Sequence, residues 1–234
     1  MDWENIWNSR NVKSVDNLST HDVLKSLLEM DGFDSPTGSI NVGAWSNYLE
    51  CISSLLELSA TDTFFEVGCG AGAFLYSFYE KKHTVSGLDF SNDLITIAQR
   101  AMPGMNFERR DALKLDYSLK FDHVIASSVV FYFPSYDYTN EVLMLMLKKA
   151  QKTVVILDIP DLETRDKCEQ FRQGTMSKIE YNRKYKDLQH LYYPKHFWKK
   201  FAERNNLSCE IEQQHIEGYC NNEYRYNVVF RKLS

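Results

Sequence analysis

The sequence is short of proline, with five in 234 residues. With no internal repeat and no low-complexity tract either, nothing marks a linker between domains. Its five cysteines, Cys51, Cys69, Cys168, Cys209 and Cys220, are odd in number, widely spread and free of any C-x-x-C pair, which leads us to expect reduced thiols in a cytosolic compartment. No apolar run approaches bilayer-spanning length, and the first residues, MDWENIWNSR, are acidic where a secretory signal would be basic, so a soluble, cytoplasmic protein is expected. Basic excess is missing too: the formal net charge is −5. Charge therefore suggests neither a nucleic acid nor an anionic membrane as partner. There is no H-E-x-x-H and no Cys/His cluster, so no catalytic metal is expected.

What is present centres on Phe64–Phe74, FFEVGCGAGAF. An apolar run enters three glycines spaced two apart, and a further apolar segment follows, which predicts strand, tight turn and helix. Glycines there allow positive φ and close backbone approach to a ligand, while the N–H groups of the following helix form a slightly positive cradle. A nucleotide-like ligand suits such a turn. Glu66 inside the strand, Asp89 after Val85–Leu88 and Asp111 after Asn106–Arg110 add acids at successive strand ends.

These residues resemble the class I S-adenosylmethionine-dependent methyltransferases. Glu66-Val-Gly-Cys-Gly-Ala-Gly is similar to their first motif, Gly87-Leu-Asp-Phe-Ser to their second, Arg110-Asp-Ala to their adenine-binding segment and Phe121–Pro134 to their fourth-strand motif. The resemblance implies S-adenosylmethionine as cofactor and S-adenosylhomocysteine as product. It assigns the methionine end to the turn of Glu66, Gly68, Cys69, Gly70 and Gly72. It assigns the ribose hydroxyls to Asp89 beside Phe90, the adenine to Asp111 and Ala112, and a further contact to Ser127.

The pattern after residue 64 alternates short apolar strands with helices, the arrangement of a parallel sheet covered on both faces. Ser208–Gln213 and Tyr224–Arg231 read as a closing antiparallel pair. The expected fold is a three-layer α/β/α Rossmann-like methyltransferase domain over 1–234. It has a mostly parallel seven-stranded sheet, one antiparallel strand and an N-terminal helical cap. The expected divisions are a cap over 1–60, a cofactor-binding half over 61–159, a substrate-covering insertion over 160–193, and a C-terminal helix and hairpin over 194–234. Ligands of such sheets sit at the strands' carboxyl ends.

Trp3, Ile6 and Trp7 lie at helical spacing, as do Trp45, Tyr48, Leu49, Ile52 and Leu55. The second set reads as a core-facing helix, and Trp3 and Trp7 as residues that close over the substrate. Phe131, Tyr192 and Tyr193 are further substrate-binding candidates, and Ser177-x-x-Glu180 is a capping-box signature. An activated methyl asks mainly for alignment and exclusion of water. A hydroxyl acceptor would also need a base, for which Tyr132, His190 and Asp158 are candidates, with His196 and Asp161 behind them.

Related enzymes often carry histidines at the positions of Phe131 and Tyr132. Their absence favours an amine or an already acidic acceptor. The nucleic-acid amino-methyltransferase segment Asn/Asp-Pro-Pro-Tyr is replaced by Ser127–Phe133, which points to a small metabolite, such as a sugar or amine. Two alternatives stay open. Gly68-x-Gly70-x-x-Ala73 also satisfies the fingerprint of a nicotinamide-dependent oxidoreductase, and the protein could bind S-adenosylmethionine without catalysis. The oligomeric state is not legible.

Overall fold

The computed structural model describes residues 3–8, 10, 12–34, 39–174, 176–186 and 188–233; the side chains at 3, 4, 182 and 184 lie outside the described set. The leader forms α1 (Trp3–Asn8), α2 (Thr20–Met30) and α3 (Val42–Leu55). Alternation follows as β1 (Phe64–Val67), α4 (Ala73–Glu80), β2 (Val85–Asp89), α5 (Asn92–Ala101), β3 (Asn106–Arg109), β4 (Phe121–Ser127), α6 (Tyr136–Lys149) and β5 (Ala150–Pro160). The chain then forms α7 (Arg165–Gln173), α8 (Lys178–Lys184), α9 (Lys195–Arg204), β6 (Leu207–Gln213) and β7 (Arg225–Lys232).

The strands form one seven-stranded sheet in the order β3-β2-β1-β4-β5-β7-β6. All the pairings among β1 to β5 are parallel, whereas β7 runs antiparallel to both β5 and β6. The expected sheet, with its single reversed strand, is the observed one. A nicotinamide-binding sheet is ordered 3-2-1-4-5-6 throughout. The reversed β7 inserted beside β5 departs from that plan and sets the oxidoreductase reading aside.

Period-2 alternation places the side chains of each strand on opposite faces. Phe64 packs with the buried faces of α2 to α5, while Phe65 and Val67 pack on the other side with those of α6 and α9. Each such fully buried aliphatic or aromatic side chain stabilises the fold by about 1.5–3 kcal/mol relative to exposure. Glu66 shares its face with Phe64. The first strand thus sends a carboxylate toward the helical leader, between layers of apolar side chains.

Helix ends follow local chemistry. Ser19, Asn41 and Ser135 cap α2, α3 and α6 through side-chain oxygens, and Ser177 with Glu180 forms the expected capping box of α8. Ser91 stands at the N-cap of α5 as expected, but its side chain makes no cap hydrogen bond.

Candidate functional site

The turn between β1 and α4 forms the floor of the site. Gly68 and Gly70 have φ of +73° and +53°, and a Cβ on Gly70 would lie 2.2 Å from Asp31 Oδ1. Only glycine lets the backbone turn left-handed here and leaves room for that carboxylate. The Asp31 side chain reaches over from the C-cap of α2 and accepts from Ala71 N at 2.6 Å and Ala73 N at 2.9 Å. It thereby occupies backbone donors at the start of α4, where anions are favoured. From the end of β2, Asp89 Oδ2 accepts from Gly70 N at 3.0 Å, and its Oδ1 from Ser91 N at 2.8 Å.

Above this floor lies a cavity of about 310 Å³, bordered by Asp31, Glu66 and Asp89 on one side and Phe90, Leu94 and Tyr138 on another. Its walls are largely apolar, which concentrates the field of the three carboxylates. Asp31 is pushed up to about 7, chiefly by removal from bulk water against the opposing pull of the Ala73 and Ala71 N–H groups, with Asp89 adding repulsion. Glu66 is raised well above the usual carboxylate range by burial, then by Asp31 and Asp89. Burial also raises Asp89 against its backbone hydrogen bonds. Glu66 Oε2 is buried without a hydrogen-bond partner. Three neighbouring carboxyls, all held toward neutrality, with one oxygen unsatisfied, form a site that a cation would complete.

Residues 64–149 match the family model of a methyltransferase domain. That segment runs from β1 to α6 and holds the glycine turn, Asp89 and Asp111. No curated protein matches the chain. Similar solved folds include the PH0226 protein of Pyrococcus horikoshii OT3, at 17% identity and a TM-score of 0.65 over 86% of this chain and 94% of that one. The N-methyltransferase NodS of Bradyrhizobium japonicum WM9, crystallised with S-adenosylhomocysteine, is 15% identical with a TM-score of 0.61 over 92% and 99%. Magnesium protoporphyrin IX methyltransferase of Synechocystis PCC 6803, crystallised with S-adenosylmethionine, is 14% identical with a TM-score of 0.59 over 94% and 100%. At these identities the likeness is one of fold.

The cavity gathers Glu66, Gly68, Cys69, Gly70, Asp89, Phe90, Asp111, Ala112 and Ser127 from four separate segments. Gly72 does not line it; it is the left-handed N-cap of α4, underneath. Asp111 accepts from Leu113 N at 2.8 Å and from the Tyr138 hydroxyl at 3.3 Å, a partner from α6. Of the expected substrate residues, Trp7 lines the cavity and meets Tyr132 edge-on at 5.5 Å between ring centroids. Trp3 belongs to α1, but its side chain is outside the described set. Phe131 does not line the cavity; it packs against Tyr132 at 4.3 Å between centroids, the rings tilted by 51°.

Two assignments need correction. Tyr193 is a core residue, not a substrate contact. It is 0% exposed, and its hydroxyl bonds Thr139 Oγ1 and Val130 O at 2.8 Å each. Asp158 does not border the cavity as a base. Its Oδ2 accepts from Ser128 Oγ at 2.9 Å and its Oδ1 from Gln214 Nε2 at 2.9 Å.

Tyr192 is likewise buried, under the Arg165 guanidinium, away from the cavity wall. His190 sits edge-on behind Tyr132 at 5.3 Å, and Arg172 approaches its Nδ1 at 3.1 Å. Burial, then the neighbouring arginines, push it well below the usual histidine range. It is neutral but a weak base. Tyr132 does line the cavity, yet burial raises its hydroxyl far above the ordinary phenol range. Asp161 is bound to Lys195 at 2.8 Å, and His196 is exposed on α9. Among the described residues no group of three or more His, Cys, Asp or Glu is gathered to hold a metal ion.

Sequence reasoning missed Asp31, which opens the segment Asp31-Gly-Phe-Asp-Ser-Pro, rich in turn-forming residues. It also read Trp45 purely as core. Trp45 is buried, yet it borders the cavity while its Nε1 donates to Ala73 O at 3.3 Å, bracing the turn from α3.

Proposed function

We infer that the chain transfers the methyl group of S-adenosylmethionine to a small-molecule acceptor through an amine or an already anionic oxygen. The observation that carries this reading is the trio Asp31, Glu66 and Asp89 around an apolar cavity, with Glu66 Oε2 unpartnered. Such a site favours a ligand bearing an ammonium and a sulfonium and is poorly suited to a polyphosphate. When bound, the cofactor supplies a methyl on positively charged sulfur. Glu66 and Asp31 are placed to take the ammonium, Asp89 the ribose hydroxyls, and Asp111 with Ala112 the adenine. Phe90, Leu94 and Tyr138 provide the apolar walls of the adenine end.

Trp7 and Tyr132 form an aromatic pair at the cavity. Their rings exclude water and stabilise a nearby cation by about 0.5–2 kcal/mol. The cavity lining includes no histidine; of the base candidates, Tyr132 lines it with its hydroxyl proton held by burial, and His190 and Asp158 are held by other partners. The chemistry therefore rests on an acceptor that needs no proton removed by a strong base.

The reading is tested by incubating the protein with methyl-deuterated S-adenosylmethionine and a fractionated metabolite extract, followed by mass spectrometry. A labelled small molecule is expected. S-adenosylmethionine binding without a labelled product would instead favour a role in binding alone.

A further inference from the structure

A second polar cluster lies at the same edge of the sheet, and the reaction as described leaves it unused. Because β7 is antiparallel, its first residue, Arg225, is paired with Pro160 at the carboxyl end of β5. Arg225 is 4% exposed, and its Nε and Nη1 have no hydrogen-bond acceptor. Asp158 Oδ1 is 3.4 Å from Nε, outside hydrogen-bond alignment, so one carboxylate balances the charge without satisfying the donors. Gln214, 1% exposed and held to Asp158 through Nε2, leaves its Oε1 unpartnered. Buried guanidinium donors left open are costly, and a planar fork of this kind matches a carboxylate or phosphate.

Two further features mark this cluster as more than packing. Ser128 and Asp158, near the ends of adjacent strands β4 and β5, have φ of +54° and +59°, a left-handed conformation that is strained for a residue with a side chain and that gathers at functional sites. Their side chains bond each other, and Ser128 borders the cofactor cavity. The Arg225 guanidinium also lies 5.1 Å from the centroid of Phe131, which packs at a tilt against the cavity residue Tyr132. The α7 helix brings two more arginines: Arg172 beside His190 and Arg165 over Tyr192.

We propose that Arg225 anchors an anionic group, a carboxylate or a phosphate, on the methyl acceptor, with the Ser128–Asp158 pair holding the guanidinium in place. The proposal rests on the methyltransferase reading and deepens it. A cationic cofactor meets the acid-lined half of the edge, and an anionic acceptor meets the arginine-bearing half. Arg225 positions the acceptor and takes no part in bond making.

The test starts by saturating the protein with S-adenosylhomocysteine in a calorimeter. It continues with titrations of benzoate, inorganic phosphate and, as a neutral match, benzamide. At least one anion is expected to bind tenfold or more tightly than benzamide, and a benzoate or phosphate preference identifies the group. Replacing Arg225 alone strands a buried carboxylate, so the informative variant is Asp158→Asn with Arg225→Gln, which removes both charges in near-isosteric form. It should lose the anion preference and keep the affinity for S-adenosylhomocysteine within about twofold. Arg225→Lys, which keeps the charge without the fork, should lie between.

Equal binding of benzamide and the anions, no binding of any probe, or an unchanged anion preference in the double variant would overturn the proposal. Failure of the first step, with no S-adenosylhomocysteine bound, would remove the underlying reading as well. Binding there without anion preference removes this inference alone.

Discussion

Two clusters of buried charge share one edge of the sheet and are built in opposite ways. At the β1 and β2 end, three carboxylates crowd a cavity; Arg110 also lines it, and Arg10 is the smallest of the influences on Asp31. Burial holds all three carboxylates toward neutrality, with repulsion from neighbouring carboxylates added at Asp31 and Glu66. At the β5 and β7 end, a guanidinium faces one carboxylate and keeps two donors open. The difference teaches what each end awaits: a positive ligand at the first, and a negative group at the second. Opposite charges on the two partners would also favour their approach to one another in the site.

The largest expected effect that separates the two ends is on stability. Asp158→Ala leaves the buried Arg225 charge uncompensated and should cost about 3–5 kcal/mol in urea unfolding, whereas removing both charges together should recover most of it. If the single replacement is nearly neutral, the pair is not coupled as described. Next, Asp89→Ala should weaken cofactor binding by about 1–3 kcal/mol, the scale of losing hydrogen bonds to a charged group, measured by titration with S-adenosylhomocysteine. It should leave an anion preference at the other end intact.

A subtler effect concerns protons. A carboxyl raised to about 7 in the folded chain holds its proton there while the unfolded chain, with its ordinary acidic value, has lost it. The ligand-free fold is therefore stabilised at acidic pH and loses that stability as pH rises toward 7. Asp31→Asn should flatten this slope in thermal unfolding between about pH 4 and 7. The smallest effect is expected from Trp7→Ala. Loss of the edge-on contact with Tyr132 should cost about 0.5–1.5 kcal/mol, read as weaker acceptor binding with cofactor affinity nearly unchanged. Unaltered turnover would reduce Trp7 to packing.

The two ends also differ in how plainly the sequence announces them. Glu66, the glycines, Asp89 and Asp111 lie within or just after their own strands, so local pattern and the parallel topology place them together. Asp31 arrives from the end of a helix about forty residues before the turn it braces. In that helix, α2, Val23, Leu24, Leu27 and Leu28 recur on one helical face and are buried in the core, a pattern that carries no sign of the carboxylate at its end.

Arg225 is harder still. Its place depends on the antiparallel register of β7 against β5, and nothing in the residues around it marks a long-range pairing. The aromatic-rich segment before Pro194 misled for a related reason. Side chains such as Tyr193 and Tyr192 have the same composition whether they face a ligand or the core. Only the hydrogen bonds of Tyr193 to Thr139 and Val130 decide the matter for that residue.

The most direct test of the acid-lined cavity as the cofactor site is calorimetric titration with S-adenosylmethionine at pH 6, 7 and 8, in paired buffers of different ionisation heat. Binding at one site is expected, tightening as pH rises and releasing a proton near pH 7, because the cation draws Asp31 into its charged form. Binding that is no tighter at pH 8 than at pH 6, or tighter binding of NADH in the same cell, would contradict it.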